Sequence, residues 1–178
     1  PQHIGFQELT LHRQNSAALA MMVVIVAGCA SFGARTALHT GRMDLRRGLP
    51  LSAIPHLEQA TAMDSDLLFS PLGESGWTYL GRANYEAKRF SSARQALERA
   101  VTLNRDDGLA KLYLGLTLMR EGNDSSGRQV ILAGLKDLQQ RLSFIVSGTS
   151  SGAYWDPSGK IRKQISAAEF EVAGAREN

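Results

Sequence analysis

From Ser16 to Gly33 the chain reads Ser-Ala-Ala-Leu-Ala-Met-Met-Val-Val-Ile-Val-Ala-Gly-Cys-Ala-Ser-Phe-Gly, without one charged side chain. A run of this length suits a transmembrane helix; a core helix in a small protein, the competing reading, would show a polar face. The pattern predicts a membrane anchor over residues 16–33, preceded by a short flank over 1–15. Further on, apolar positions recur at three- and four-residue intervals and are broken by Gly, Asn, Asp and Pro. That is the pattern of short amphipathic helices joined by tight turns.

Self-comparison orders these helices into pairs. Trp77-Thr78-Tyr79-Leu80-Gly81 opens one run that reaches Lys88, and Ser91 opens a second that ends at Leu103, ahead of Asn104-Arg105-Asp106-Asp107. About 34 residues on, Tyr113-Leu114-Gly115 echoes Tyr79-Leu80-Gly81, and Ser126 and Arg128 fall on Ser92 and Arg94. Backwards along the chain, Leu57, Glu58, Ala60 and Asp66 coincide with Leu97, Glu98, Ala100 and Asp106, Gly41 with Gly81, and Ala53 with Ala93. Three hairpins follow, over 34–66, 74–107 and 108–138. A longer connection at 67–73 contains the turn signal Ser70-Pro71-Leu72-Gly73. Gly81, Gly115, Ala93 and Ala100 leave room for close helix crossings, and Leu80, Leu97 and Leu103 fill the space between.

The spacing of Trp77, Leu80, Gly81, Ala93, Leu97 and Ala100 resembles the tetratricopeptide repeat family. The match is strong in the middle hairpin, fair in the third and weak in the first. Asn84 stands at the family's usual tyrosine, Arg105 at its usual proline, and Gly127 and Gly134 at its usual alanines. The resemblance implies an all-α solenoid of antiparallel hairpins. Residues 139–178 then extend the last helix to about Val146, pass a Gly/Ser loop at 147–152 and end in a capping helix. That helix opens at Asp156-Pro157 and carries Ile161, Ile165 and Ala168 at helical spacing. Tyr154 and Trp155 are expected to pack beneath it, with an aromatic ligand platform as the competing use.

Composition removes several classes of function. The 178 residues, 43% hydrophobic and 21% charged, supply one ordinary core. The net charge of +3 is spread along the chain, without the basic stripe that nucleic acid requires. A single cysteine, Cys29, excludes an internal disulfide framework, and His3, His12, His39 and His56 form no metal-ligand spacing. Asp64/Asp66 and Asp106-Asp107 sit at hairpin ends, where Asp serves turns and caps. No catalysis, metal or cofactor is expected. Val26-Ala27-Gly28-Cys29 resembles a bacterial lipobox, which makes Cys29 a candidate lipidation site and a cleaved periplasmic lipoprotein assembly factor the alternative to an uncleaved anchor.

Arg35, Arg42, Arg46 and Arg47 follow the apolar run and argue for a cytoplasmic folded part. A signal-anchor or lipobox argues for export, and a single-pass membrane protein with a periplasmic folded part is the expectation. The family resemblance implies an inner wall drawn from the first helix of each hairpin. It would present Leu38, Arg42 and Leu45, then Thr78, Arg82 and Tyr85, then Leu112, Leu116 and Met119. Such a wall suits an amphipathic protein segment with acidic groups; packing against the C-terminal helix is the competing role for the last three. The Lys and Asn residues of the family's carboxylate clamp are absent from it. The expected function is a membrane-anchored adaptor or accessory subunit that binds and stabilises a larger membrane protein complex.

Overall fold

A computed structural model describes residues 32–68, 73–148, 156 and 158–174; among them are seven helices and no strand. They are α1 (residues 32–46), α2 (Pro50–Met63), α3 (Gly76–Glu86), α4 (Phe90–Leu103), α5 (Gly108–Arg120), α6 (Asp124–Gly148) and α7 (Lys160–Gly174). Consecutive helices pair as α1–α2, α3–α4 and α5–α6. The long connection between the first two is closed by an antiparallel bridge from Leu68 to Ser75.

One glycine on the first helix of each hairpin sets its crossing. A Cβ at Gly41 would stand 2.6 Å from Leu57 Cγ, at Gly81 2.4 Å from Leu97 Cγ, and at Gly115 2.6 Å from Ile131 Cγ1. The partner lies at the same sequence interval in all three, so one packing unit recurs. Leu57 and Leu97 are completely buried, each contributing about 2–3 kcal/mol of apolar burial. Ala53, Ala60, Ala93 and Ala100 line the second helices and are equally inaccessible. One apolar cluster joins the first hairpin to α3, and a second joins α4 to α5.

The turns inside the hairpins also repeat. Leu49 N–H donates to Asp44 O at 2.9 Å, Arg89 N–H to Asn84 O at 2.8 Å and Asn123 N–H to Leu118 O at 2.9 Å. Each bond closes over a residue in the left-handed region: Gly48 (φ 73°), Lys88 (φ 61°) and Gly122 (φ 88°). This is the helix-ending geometry that glycine adopts without steric cost. Lys88 adopts it with a Cβ, so Lys88→Gly should raise stability by about 1 kcal/mol. A matched pair of urea titrations checks this, and an unchanged or lower midpoint would refute it. Between hairpins, the Asp64 side chain accepts from Asp66 N–H and the Asn104 side chain from Asp106 N–H, the turn role expected there. Asn84, in place of a tyrosine, is buried and donates to Leu80 O at 2.9 Å.

Several expectations change. The stretch 16–33 lies outside the described residues except for Phe32 and Gly33, which open α1; Cys29, Tyr154 and Trp155 lie outside them too. Among the described residues no helix is long and apolar enough to cross a membrane. The longest, α6, carries Asp124, Arg128, Lys136, Asp137 and Arg141. On this finding the single-pass membrane placement does not stand. α6 runs on across 138 to Gly148. The last helix starts at Lys160 rather than at Asp156. Asp156 still serves its first turn, accepting from Ile161 N–H at 3.0 Å and Arg162 N–H at 3.2 Å. Ile161 is exposed, and α7 lies along α6 without burying any residue of its own.

Candidate functional site

On each first helix the crossing glycine marks the face turned to the second helix. Residues three before and four after it project from that same face. The outer positions of the expected wall fall there: Leu38 and Leu45 around Gly41, Thr78 and Tyr85 around Gly81, Leu112 and Met119 around Gly115. Leu38 (0% exposed), Leu45 (4%) and Thr78 (0%) are core residues, which corrects their assignment to an exposed wall. A Cβ at Gly127 would stand 2.4 Å from Met119 Cγ, and one at Gly134 2.7 Å from Leu112 N, so these two residues lie where α5 meets α6 rather than α7. Tyr85 is half-buried, with its ring centroid 5.8 Å from Phe90 and 5.6 Å from Tyr113.

The residues just after the glycines, Arg42, Arg82 and Leu116, remain half-exposed. Each of the two arginines lies over the tyrosine of the next hairpin's Tyr-Leu-Gly triplet. The Arg42 guanidinium carbon is 4.7 Å from the Tyr79 ring centroid, and that of Arg82 is 5.8 Å from the Tyr113 centroid. Such stacking ties one repeat to the next and holds the guanidinium against the wall. Arg82 Nε also donates to Glu86 at 2.7 Å, while its terminal nitrogens bond to no described residue. Tyr79 O–H donates to the buried Glu74 at 2.6 Å; burial first, then the Glu74 charge, pushes its pKa upward. Burial likewise raises Tyr113, against the lowering effect of Arg82.

Tyr79, Tyr113 and Glu74 are not among the expected wall residues. The repeated Tyr-Leu-Gly triplet is the signal for the two tyrosines; nothing in the sequence marks Glu74. A further link joins α3 to α5 from beneath, where Thr78 Oγ1 donates to Asp107 Oδ2 at 2.5 Å and Ala110 N–H donates to Asp107 Oδ1 at 2.8 Å. Arg82, Tyr85, Tyr113 and Leu116 therefore form a patch across α3 and α5, aromatic at its base and carrying a stacked guanidinium. Among the described residues no group of three or more His, Cys, Asp or Glu side chains is placed to hold a metal ion.

The family signature described as "Tetratricopeptide repeat" matches residues 38–107 and 80–139. Among solved structures, the Yersinia enterocolitica type III secretion translocator chaperone SycD (alternative dimer) is similar at TM-score 0.59 and 10% identity, over 83% of this chain and 97% of that one. Two crystal structures of MamA are similar at 22% identity. One has TM-score 0.54 over 99% of this chain and 96% of that one. The other has TM-score 0.51 over 98% and 88%. At these identities the likeness concerns the fold. No curated protein matches the chain.

Proposed function

The chain belongs to the tetratricopeptide repeat family, and from that premise we propose that it is an adaptor holding one segment of a partner protein against the patch formed by α3 and α5. The observation that carries this reading is Arg82: half-exposed, stacked on Tyr113, and with its terminal nitrogens bonded to no described residue. A guanidinium held in place loses little freedom on pairing with a carboxylate, and half-buried aromatics beside it supply stiff apolar area. Arg42 repeats the stacking one hairpin earlier, over Tyr79, and Leu116 ends the series with an apolar side chain. The matching ligand is an amphipathic segment with a carboxylate flanked by apolar residues. Binding such a segment, without chemistry on it, lets the chain hold an assembly together by raising local concentration.

Recovery of partners by a tagged chain tests the proposal. Arg82→Glu with Leu116→Glu should weaken recovery at least about tenfold, or roughly 1.4 kcal/mol, with the circular dichroism spectrum unchanged. Tyr85 is left alone because it supports Phe90 and Tyr113. Arg99→Glu with Lys136→Glu, on exposed positions of the second helices, should be nearly silent. Equal recovery by the two double variants would exclude the α3–α5 patch as the recognition surface.

A further inference from the structure

The first two hairpins expose two ends of opposite character. At the end where first helices turn into second helices, Arg46, Arg47, Lys88 and Arg89 are all exposed, and beside them Leu49 is 48% and Leu51 63% accessible. At the other end Asp64 and Asp66 stand beside Met63, 45% accessible, and Leu68, 52% accessible. Asp106 occupies the equivalent place in the next loop, with Arg105 adjacent. Arg35 also belongs to this end, so the acidic charge is concentrated on the α2–α3 loop.

Two ordinary explanations fall short. Exposed apolar side chains are common singly, but these pairs flank charge clusters of opposite sign. Basic residues are favoured at helix C-termini, yet each edge of a hairpin carries one helix C-terminus and one N-terminus, whose dipoles oppose. Neither α2 nor α4 has an acidic residue in its first turn or a basic one in its last. The basic residues end or follow α1 and α3, where the dipoles favour them. Asp64 and Asp66, however, follow the C-terminus of α2, where the dipole opposes them, so the acidic end is not dictated by the helices. Lys88 adds an independent mark, because it keeps a basic side chain in a left-handed conformation where the other hairpins have Gly48 and Gly122. Residues held against backbone preference gather at functional surfaces. Neither Lys88 nor Arg89 forms an ion pair with a described residue, and Arg47 has only a long one, 3.7 Å to Asp44.

We infer that the partner of the basic end is the acidic end of a second copy of this chain. Arg46, Arg47, Lys88 and Arg89 meet Asp64 and Asp66 of the next molecule, with Leu49 and Leu51 against Met63 and Leu68. The two ends are about 20 Å apart, the length of α2, beyond the roughly 8 Å over which charges act through physiological salt. Each end therefore works separately. Joining unlike ends is head-to-tail, and it grows into rings or filaments instead of stopping at a symmetric pair. It does not depend on the ligand proposed for the α3–α5 patch.

Sedimentation velocity on the full chain tests this. At low salt the chain should form species larger than a dimer, and physiological to high salt should weaken their association at least about tenfold. Arg46→Glu with Arg89→Glu, and separately Asp64→Asn with Asp66→Lys, should each be monomeric. An equimolar mixture of the two should recover a pair, since each supplies the end the other lacks. The amide at 64 keeps the acceptor for the loop N–H, and Arg46→Gln with Arg89→Gln repeats the test without charge reversal. A wild-type chain that is monomeric at low salt, association insensitive to salt, or a mixture that stays monomeric would overturn the inference. So would a monomeric chain whose basic end binds polyglutamate, which would assign that end to an external acidic protein.

Discussion

Alanine at Gly115 should destabilise the protein by about 3 kcal/mol or more, although it adds only one methyl group. In the third hairpin the two helices meet through glycines on both sides. A Cβ at Gly115 would lie 2.6 Å from Gly127 O and 2.8 Å from Ile131 N; one at Gly134 would lie 2.7 Å from both Gly108 O and Leu112 N. These neighbours are backbone atoms, which cannot rotate away, so α5 and α6 must separate along the whole crossing. At Gly81 the obstacle is the Leu97 side chain, 2.4 Å away at Cγ, which can shift within its pocket; Gly81→Ala should cost less. Gly174, with nothing within 4 Å, is the control, and alanine there should leave stability unchanged or slightly higher. A fall in melting temperature of about 6–12 °C for Gly115→Ala is expected for a chain of this size. A melt within a degree of wild type would mean that α5 and α6 are not in backbone contact.

The same glycines make the hairpins legible in the amino-acid sequence. A small residue repeated at a fixed distance from a Leu or Ile identifies a crossing, and Gly41, Gly81 and Gly115 with Leu57, Leu97 and Ile131 identify three of them. Hairpin count, order and turn positions follow from that spacing. The inner wall does not, because helix membership alone says nothing of rotation about the helix axis. Leu38, Leu45 and Thr78 lie at the glycine's own angular position and are buried, while Tyr85, Leu112 and Met119 at the matching positions stay half-buried. Among the nine expected wall positions, Arg42, Arg82 and Leu116 come directly after the glycines, about 100° round the helix from them, and are half-exposed. The apolar run at 16–33 suggests an anchor through hydropathy alone, which reports what a segment could cross and not what it packs against. Glu74 is illegible for a different reason: a glutamate after a loop has no pattern that distinguishes burial from exposure. Its partner Tyr79 is far better marked, yet the bond between them depends on where the Leu68–Ser75 bridge sets the loop.

Asp107 provides the remaining large effect, and it depends on pH. Its carboxylate is wholly buried between α3 and α5, with one oxygen accepting from Thr78 Oγ1 and the other from Ala110 N–H. Burial pushes its pKa up from 3.8 to about 6; the hydrogen bonds oppose this and the nearby Glu74 charge adds to it. The native pKa is thus above the unfolded one, so between pH 4 and 6 the folded chain holds a proton that the unfolded chain has lost. Stability contributed by this group is complete below the unfolded value and is lost as pH rises through the folded one. Two units correspond to about 3 kcal/mol. A protonated carboxyl can donate to Thr78 Oγ1, whose own hydrogen can then turn to Ser75 Oγ at 3.1 Å, so the network survives the change. Asp107→Asn offers the same bonds without a charge: its oxygen can accept from Ala110 and its amide can donate to Thr78. The wild type should therefore lose several degrees of melting temperature between pH 4.5 and 7.5 relative to Asp107→Asn, and at pH 7.5 the variant should be at least as stable. The difference between the two curves isolates Asp107 from every other titrating group. Parallel curves would mean that Asp107 is ionised across the range and that α3 and α5 are locked together by its charge.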